Sequence, residues 1–400
     1  MTREVVITGC GVVTANGIGR EAFAEALLSG RTGIGDLTAF DASDTGRERA
    51  AEIASFDPAP YLRTPKNYLD RNSALAFAAA EMAVRESGLA LPQMDRGFGV
   101  ACGSMAGNVE SLGAFCAKVA EKGPKLAPPF LFPHTYYNTT AGLLSIEYGL
   151  NGPHGQFCSG GAAGLEAILF AAECIARGRT EAMLAGGAEA FNERTFRLAA
   201  GRRWLSPGGA ESCRPFGVGR NGTILGEGAA FFVLESAESA RTRGAKALAR
   251  VGAFAVAGSA GGAYAAALSS AFDDEDDDED EKRMKTAKAH PAVLFASAGG
   301  YPRLDAEEAA AISTTLRGRV CPVAAVKALV GETMGASGPI ALAAALSAME
   351  GGFVPATPGG ESEFPEVRLA GKACSTEVRS ALVSAGGPWE GNWCAVIVRR

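Results

Sequence analysis

The chain has 400 residues, of which 47% are hydrophobic and 20% are charged, with a formal net charge of −6. This composition is typical of a soluble globular protein, and the negative charge argues against nucleic acid or an anionic membrane as the main partner. No stretch reaches the ~18 consecutive apolar residues that span a bilayer. The first residues, MTREVVITGCGVV, lack the apolar core and cleavage site of a signal peptide. We therefore expect a cytoplasmic protein.

Apolar runs alternate with alanine-rich stretches along the first half of the chain. The runs read as buried strands, and they cover residues 4–9 (EVVITG), 97–102 (GFGVAC), 181–187 (EAMLAGG) and 230–235 (AFFVLE). The alanine-rich stretches at 20–28 and 72–87 read as helices. Strands alternating with helices predict an α/β protein with a mainly parallel sheet covered on both faces.

Two stretches resemble each other in character. Residues 160–178 read GGAAGLEAILFAAECIARG, and residues 331–352 read GETMGASGPIALAAALSAMEGG. Helices this apolar around their whole circumference are normally sandwiched inside a protein. One such helix per half suggests a duplicated, layered architecture with halves at 1–238 and 239–400.

The segment DDEDDDEDE at 273–281, followed by KRMKTAKAH, has almost no apolar residues and concentrates like charge. It predicts a disordered acidic loop at about 272–290.

The nine cysteines are scattered, without a CxxC pair or a Cys/His cluster. They predict buried thiols rather than a metal site. No metal and no cofactor are expected.

Several motifs occur in an order that resembles the β-ketoacyl-acyl carrier protein synthases of the thiolase superfamily over essentially the full length. They are VVITGCGVVT at 5–14, NGP at 151–153, EAMLAGGAEA at 181–190, CRPFGVGRNGTILGEGAAFFVLE at 213–235 and AAVKALVGETMGASG at 324–338. The resemblance implies a duplicated five-layered αβαβα fold and a dimer that pairs across a strand-lined interface.

The chemistry of that family needs a cysteine at the start of the buried helix and two histidines in the second half. By this resemblance the cysteine position falls on Gly161, the first histidine position on Gly299 and the second on Glu332. Two further family residues, a lysine and a glutamate, are retained as Lys327 and Glu308. Glycine offers neither a nucleophile nor a proton donor, so the resemblance implies a scaffold without the means for Claisen condensation.

Cys158 is the alternative nucleophile, but it lies three residues before Gly161, which is roughly 10 Å of extended chain. The loop that carries the family's gating phenylalanine is also altered. This chain has Gly386, Gly387, Pro388 and Trp389 there, without the phenylalanine.

Such a pattern is similar to the chain-length factor, the inactive half of ketosynthase heterodimers in type II polyketide and aryl-polyene systems. It implies a non-catalytic subunit, without activity alone, that pairs with an active ketosynthase, works with an acyl carrier protein and helps to shape the acyl tunnel. Phe115 and Cys116 are the candidate tunnel residues. Two alternatives stay open: an active acyltransferase of altered mechanism that uses Cys158, and a homodimeric ligand-binding or scaffold protein.

Overall fold

The computed structural model describes residues 3–400 except 67, 91–96, 209–211, 271–290, 317–320 and 388–389. The acidic loop predicted at about 272–290 therefore lies outside the described residues. Pro388 and Trp389 of the altered gating loop lie outside them as well.

The helices follow the predicted pattern closely in the first half. The predicted helices at 20–28 and 72–87 correspond to the first two of the series. The α-helices of the described residues are α1 (Arg20–Ser29), α2 (Arg71–Ser87), α3 (Val109–Lys122), α4 (Thr139–Tyr148), α5 (Ala163–Ala176), α6 (Glu193–Gly201), α7 (Ala237–Thr242), α8 (Ala260–Ser269), α9 (Pro302–Leu316), α10 (Lys327–Val330) and α11 (Ser337–Gly351). None of these helices is both long and apolar enough to cross a membrane.

All four predicted strands are present, each within a few residues of its predicted bounds. The strands are β1 (Val5–Thr14), β2 (Gly17–Ile18), β3 (Gly35–Asp36), β4 (Arg49–Ala50), β5 (Gly99–Gly103), β6 (His154–Phe157), β7 (Ala182–Glu189), β8 (Gly228–Ser236), β9 (Ala249–Ala257), β10 (Val293–Phe295), β11 (Pro322–Ala324), β12 (Phe353–Val354), β13 (Arg368–Leu369), β14 (Cys374–Ser375), β15 (Ser380–Gly387) and β16 (Glu390–Arg399).

A large sheet runs through the molecule in the order β13-β11-β10-β15-β16-β9-β1-β8-β7-β5-β6, with β2 paired to β1. Each half has five main strands, which are β1, β5, β6, β7 and β8 in the first half and β9, β10, β11, β15 and β16 in the second. When they are numbered one to five along the chain, the strands of each half lie side by side in the order third, second, fourth, fifth, first. In both halves the fifth strand is antiparallel to its two neighbours and the other pairs are parallel. This repetition confirms the predicted duplication, while the boundary after residue 238 stays a prediction.

The prediction of a mainly parallel sheet is wrong. The pairs β1–β8, β1–β9, β7–β8, β9–β16 and β15–β16 are all antiparallel. Strand β1 is buried along its whole length, as a strand of a covered parallel sheet would be. A strand that is buried on both faces reads as a continuous apolar run whatever the direction of its neighbours, so the sequence pattern does not report direction.

Helices and strands form five layers. Helices α2 and α4 pack on the outer face of the first-half strands, and α8 and α9 form the outer layer over the second-half strands. Helices α5 and α11 lie between the two sets of strands and contact each other. Almost every residue of α11 is buried. The predicted sandwiching of the two apolar helices is therefore confirmed.

The start of α5 meets the start of α11 with backbone against backbone. A Cβ atom placed on Gly164 of α5 would lie 2.2 Å from the carbonyl oxygen of Gly335. A Cβ atom on Gly187 of β7 would lie 2.5 Å from the same oxygen. Only residues without a side chain allow this approach, so the middle layer depends on glycine at these positions.

Replacing Gly164 by alanine should destabilise the fold by about 1–3 kcal/mol or more, because the added methyl group meets backbone that cannot move aside. Gly142 in α4 is the matched control, since a Cβ atom there has nothing within 4 Å. Gly142→Ala should leave stability unchanged or raise it, by up to about 1 kcal/mol. Urea unfolding of both variants measures the difference; equal stabilities would show that the two helices can separate at no cost.

Candidate functional site

Of the three positions that the sequence resemblance assigns to the family's chemistry, Gly299 and Glu332 are neighbours, and Gly161 is linked to them through Gly386 and Ser297. Gly161 lies in the short turn before α5, Gly299 follows β10, and Glu332 follows α10. All three are buried. A Cβ atom on Gly299 would lie 3.8 Å from Oε2 of Glu332. The fold thus assembles a single centre from residues that are up to 171 positions apart, counted from 161 to 332.

The place of a side chain at position 161 is filled by the backbone of β15. A Cβ atom on Gly161 would lie 2.4 Å from the carbonyl oxygen of Gly386 and 3.1 Å from Cα of Gly387. Real Cβ atoms essentially never approach a backbone oxygen that closely. Gly386 and Gly387 of β15 therefore close directly over position 161.

Ser297 holds that strand in place. Its hydroxyl donates to the carbonyl oxygen of Gly386 at 3.0 Å and accepts from the Gly386 N–H at 3.0 Å. The same hydroxyl oxygen accepts from the ammonium group of Lys327 at 3.2 Å. One donor and two acceptor sites are all that a hydroxyl has, so Ser297 is fully satisfied by these three contacts.

Lys327 and Glu332 form a buried ion pair. The ammonium group lies 2.7 Å from Oε2 of Glu332, and the two side chains are 6% and 2% exposed. The other carboxylate oxygen accepts from the N–H of Met334 at 2.8 Å and from the hydroxyl of Ser337 at 2.7 Å. Both carboxylate oxygens are thus engaged, and Glu332 serves as a partner of Lys327 rather than as a free base.

The retained Glu308 lies on the other side of Ser297. Its Oε1 accepts from the hydroxyl of Tyr264 at 2.6 Å, the hydroxyl of Ser384 at 2.5 Å and the N–H of Ser297 at 2.9 Å. Its Oε2 has no hydrogen-bond partner among the described residues. Burial raises the pKa of Glu308 above its ordinary value.

At the first histidine position the space is occupied by other side chains. A Cβ atom on Gly299 would lie 3.2 Å from Cδ of Lys327 and 3.2 Å from Oγ1 of Thr223. The thiol of Cys213 lies 3.2 Å from the Gly299 carbonyl oxygen. Burial raises the pKa of Cys213 to about 12, so this thiol stays protonated and is no substitute nucleophile.

One small void lies among these groups. A void of about 10 Å³ is lined by Ser297, Lys327, Thr333, Ser337 and Ser384 together with apolar side chains. Such a volume suits about one water molecule. An acyl thioester and a malonyl group are many times larger, so this void admits neither.

Cys158 lies at the exit of β6, and its side chain is exposed. The amide of Gln156 lies 3.9 Å from its sulfur. By contrast, Lys327 and Glu332, counted as whole residues, expose only 5% and 2% of their surface. The structure therefore does not bring Cys158 into the buried centre.

The candidate tunnel residues lie on the surface of this chain. Helix α3 has no buried residue. Phe115 is half-buried, and its ring lies 5.5 Å from the ring of Phe132. Cys116 is exposed. Neither residue belongs to the buried core of the described chain.

Sequence reasoning did not identify Ser297, Ser384 or Tyr264 as parts of the centre. The signal in the sequence that points to Ser297 is its position at the end of an apolar strand, two residues before Gly299. Tyr264 lies in α8, which carries no pattern that links it to Glu308. Only the packing of α8 beside β15 brings the phenol to the carboxylate.

Another buried carboxylate, Glu189, lies at the junction of α5 and α11. Glu189 accepts from the N–H groups of Met105 at 2.6 Å, Ala106 at 2.9 Å and Gly335 at 3.1 Å. Burial raises the pKa of Glu189 to about 7, and these hydrogen bonds partly offset that rise. The glutamate joins a turn of the first half to the turn that precedes α11.

The donor set suits no metal ion. No group of three histidine, cysteine, aspartate or glutamate side chains that could hold a metal occurs in the part of the chain that the structure describes.

Comparison with known proteins identifies the class of this fold and site. The profile of the beta-ketoacyl synthase N-terminal domain matches residues 2–240, and that of the C-terminal domain matches residues 265–361. The chain belongs to the β-ketoacyl synthase family, and its fold is thiolase-like.

Individual relatives come from fatty acid and polyketide synthesis. The ketoacyl synthase alpha subunit of the tetracenomycin polyketide synthase of Streptomyces glaucescens is 32% identical over 92% of this chain and 89% of its own length. The 3-oxoacyl-[acyl-carrier-protein] synthase 2 of Synechocystis sp. is 29% identical over 92% of this chain and 90% of its own length. The solved structure of the ishigamide ketosynthase/chain length factor superimposes with a TM-score of 0.86 at 26% identity, covering 100% and 99% of the two chains.

The Lys327–Glu332 pair yields a stability prediction. Glu332→Gln keeps an acceptor for Met334 and Ser337 but leaves the buried ammonium group without its counter-charge, which should cost about 3–5 kcal/mol. Adding Lys327→Met removes the uncompensated charge and should recover at least half of that loss. Guanidinium unfolding of the single and double variants measures this; a double variant less stable than Glu332→Gln alone would contradict the ion-pair assignment.

Glu189 yields a pH prediction. Its folded-state pKa of about 7 lies above the ordinary value of 4.5, so the folded state favours the protonated carboxyl. Its contribution to stability is fully present below about pH 4.5 and is lost as the pH rises through about 7. The difference in unfolding free energy between the wild type and Glu189→Gln should therefore fall across this window, by up to about 3 kcal/mol. Urea titrations at several pH values test this, and a difference independent of pH would contradict it.

Proposed function

We propose that this protein is a non-catalytic ketosynthase-like subunit of the chain-length-factor type, without activity alone. It pairs in the cytoplasm with an active ketosynthase, supports carrier-protein-bound chain elongation and helps to shape the partner's acyl tunnel. The observation that carries the proposal is the contact at Gly161. The carbonyl oxygen of Gly386 lies where the nucleophile's side chain would begin, at 2.4 Å from the Cβ position.

The remainder of the centre supports the same proposal. Lys327 and Glu332 neutralise each other's charge. The hydroxyl of Ser297 donates its hydrogen bond to the backbone carbonyl oxygen of Gly386. The ~10 Å³ void among these groups is too small for a substrate. A centre of this kind stabilises the scaffold and offers no group to an incoming thioester.

An apolar surface at the β6 end of the sheet supports pairing. We call it the aromatic surface; it is formed by Leu112, Phe115, Leu126, Phe130, Phe132, Tyr136 and Tyr137. Phe130 is 90% exposed and Leu126 is 67% exposed. Contiguous exposed apolar residues in a protein chain mark an interaction site.

Strand β6 adds a second argument for pairing at this end. Among the described residues it is the last strand of the sheet, bound to β5 on one side only. An edge strand with unpaired backbone groups is a template for a strand of another chain. The partner that we propose is an active ketosynthase, whose own edge strand would continue the sheet.

The aromatic surface also suits the tunnel role of Phe115 and Cys116. Both lie on α3, which contributes no residue to the core of this chain. In the proposed pair these side chains face the partner and limit how far its acyl chain extends. The acyl carrier protein would deliver that chain to the partner's thiol.

The experiment is to express this chain with an active ketosynthase from the same genome and to measure both association and acyl loading. We expect a stable heterodimer in which intact-mass spectrometry finds an acyl adduct on the partner and none on this chain. Gly161→Cys should not acquire an adduct, because Gly386 blocks the position of its side chain. A thioester on the wild-type chain would refute the proposal.

Surface variants provide the control for association. Phe130→Glu combined with Leu126→Glu should weaken the heterodimer by tenfold or more, roughly the loss of one interface anchor. Val218→Glu is the matched control, since Val218 is 62% exposed and lies outside the aromatic surface. A stable homodimer that excludes the ketosynthase would favour the scaffold alternative instead.

A further inference from the structure

A groove between α1 and the end of α11 is independent of the degenerate centre. Its volume is about 270 Å³, and its floor is formed by Ala24, Leu28, Gly351 and Phe353. Leu28 is 54% exposed, although it lies beside the buried Leu27 in the same helix. The groove is slightly smaller than typical ligand pockets, and its volume suits one or two apolar side chains of a peptide.

The rim of the groove is acidic. Glu21 and Glu25 are both exposed and lie four residues apart, which puts them on one face of α1. Neither carboxylate has an ion-pair partner among the residues that the structure describes. Glu350 also lies on the rim, but Arg20 and Lys246 neutralise it. The uncompensated charge of the groove therefore comes from one pair of carboxylates on one helix face.

The groove lies away from the β6 edge. Helix α1 packs against β1, which is separated from β6 by β8, β7 and β5. Four strand spacings amount to about 19 Å. A subunit that pairs along β6 would leave the groove open.

We propose that this groove is a docking site for a cationic amphipathic helix of another protein. One leucine or aromatic side chain of that helix packs between Leu28 and Phe353. Lysine or arginine residues spaced by four positions pair with Glu21 and Glu25. An apolar anchor with flanking cations is the complement of an apolar floor with an acidic rim.

The test uses a synthetic amphipathic helical peptide of lysine and leucine with one tryptophan, and a second peptide with glutamate in place of every lysine. Tryptophan fluorescence should report saturable binding of the cationic peptide to the full chain and no binding of the anionic one. Glu21→Lys with Glu25→Lys, and separately Leu28→Asp, should each weaken binding about tenfold.

Matched variants distinguish binding in the groove from attraction of the peptide to the general negative charge of the chain. Glu361→Lys with Glu366→Lys makes the same charge change on an exposed loop, and Leu198→Asp replaces a leucine that is 50% exposed on α6. These controls should bind as the wild type does, with circular dichroism confirming that every variant folds. Absence of binding, preference for the anionic peptide, or equal losses in groove and control variants would each overturn the proposal.

Discussion

The fold depends on the direct contact of two helix starts in the middle layer. Gly164 of α5, Gly187 of β7 and Gly335 before α11 approach one another at distances that exclude a side chain. Because the interior is close-packed, moving α5 from α11 would open space along both sets of strands at once. The same contact fixes the turns that begin at Gly160 and Met334, and these turns contain or flank two of the three positions of the candidate centre.

The centre is a buried polar site whose groups are engaged with one another and with the backbone. Buried polar groups must be satisfied, and an isolated buried charge is costly. The carboxylate of Glu332 compensates the positive charge of Lys327, with 2.7 Å between Oε2 and the ammonium nitrogen. Ser297 then joins this ion pair to the backbone of Gly386. These polar groups are partners of one another, so the site joins the segments that follow β10 and α10 to β15 within the second half.

Sequence patterns predicted the strands, the two sandwiched helices and the duplication because each rests on local periodicity and apolar content. Strand direction was not predictable, since β8 and β16 are as apolar as the parallel strands beside them. That Gly161, Gly299 and Glu332 stand at the family's catalytic positions stays a prediction from their place in motifs; in the structure Gly299 and Glu332 are neighbours. Ser297 was not identified, because its role arises from contacts with Gly386 and Lys327, 89 and 30 residues away.

Two glycines make it difficult to place a larger side chain at position 161 by one substitution. Gly161 lacks the atom that would collide with the carbonyl oxygen of Gly386. Gly386 in turn lies against Trp393, which is 1% exposed and would stand 2.6 Å from a Cβ atom added there. Strand β15 is therefore packed against Trp393 on one side and against the start of α5 on the other, and it cannot shift toward either. A cysteine at position 161 would require a coordinated shift of β15, Ser297 and Trp393, so the closed centre is a property of the packing as a whole and not of one residue.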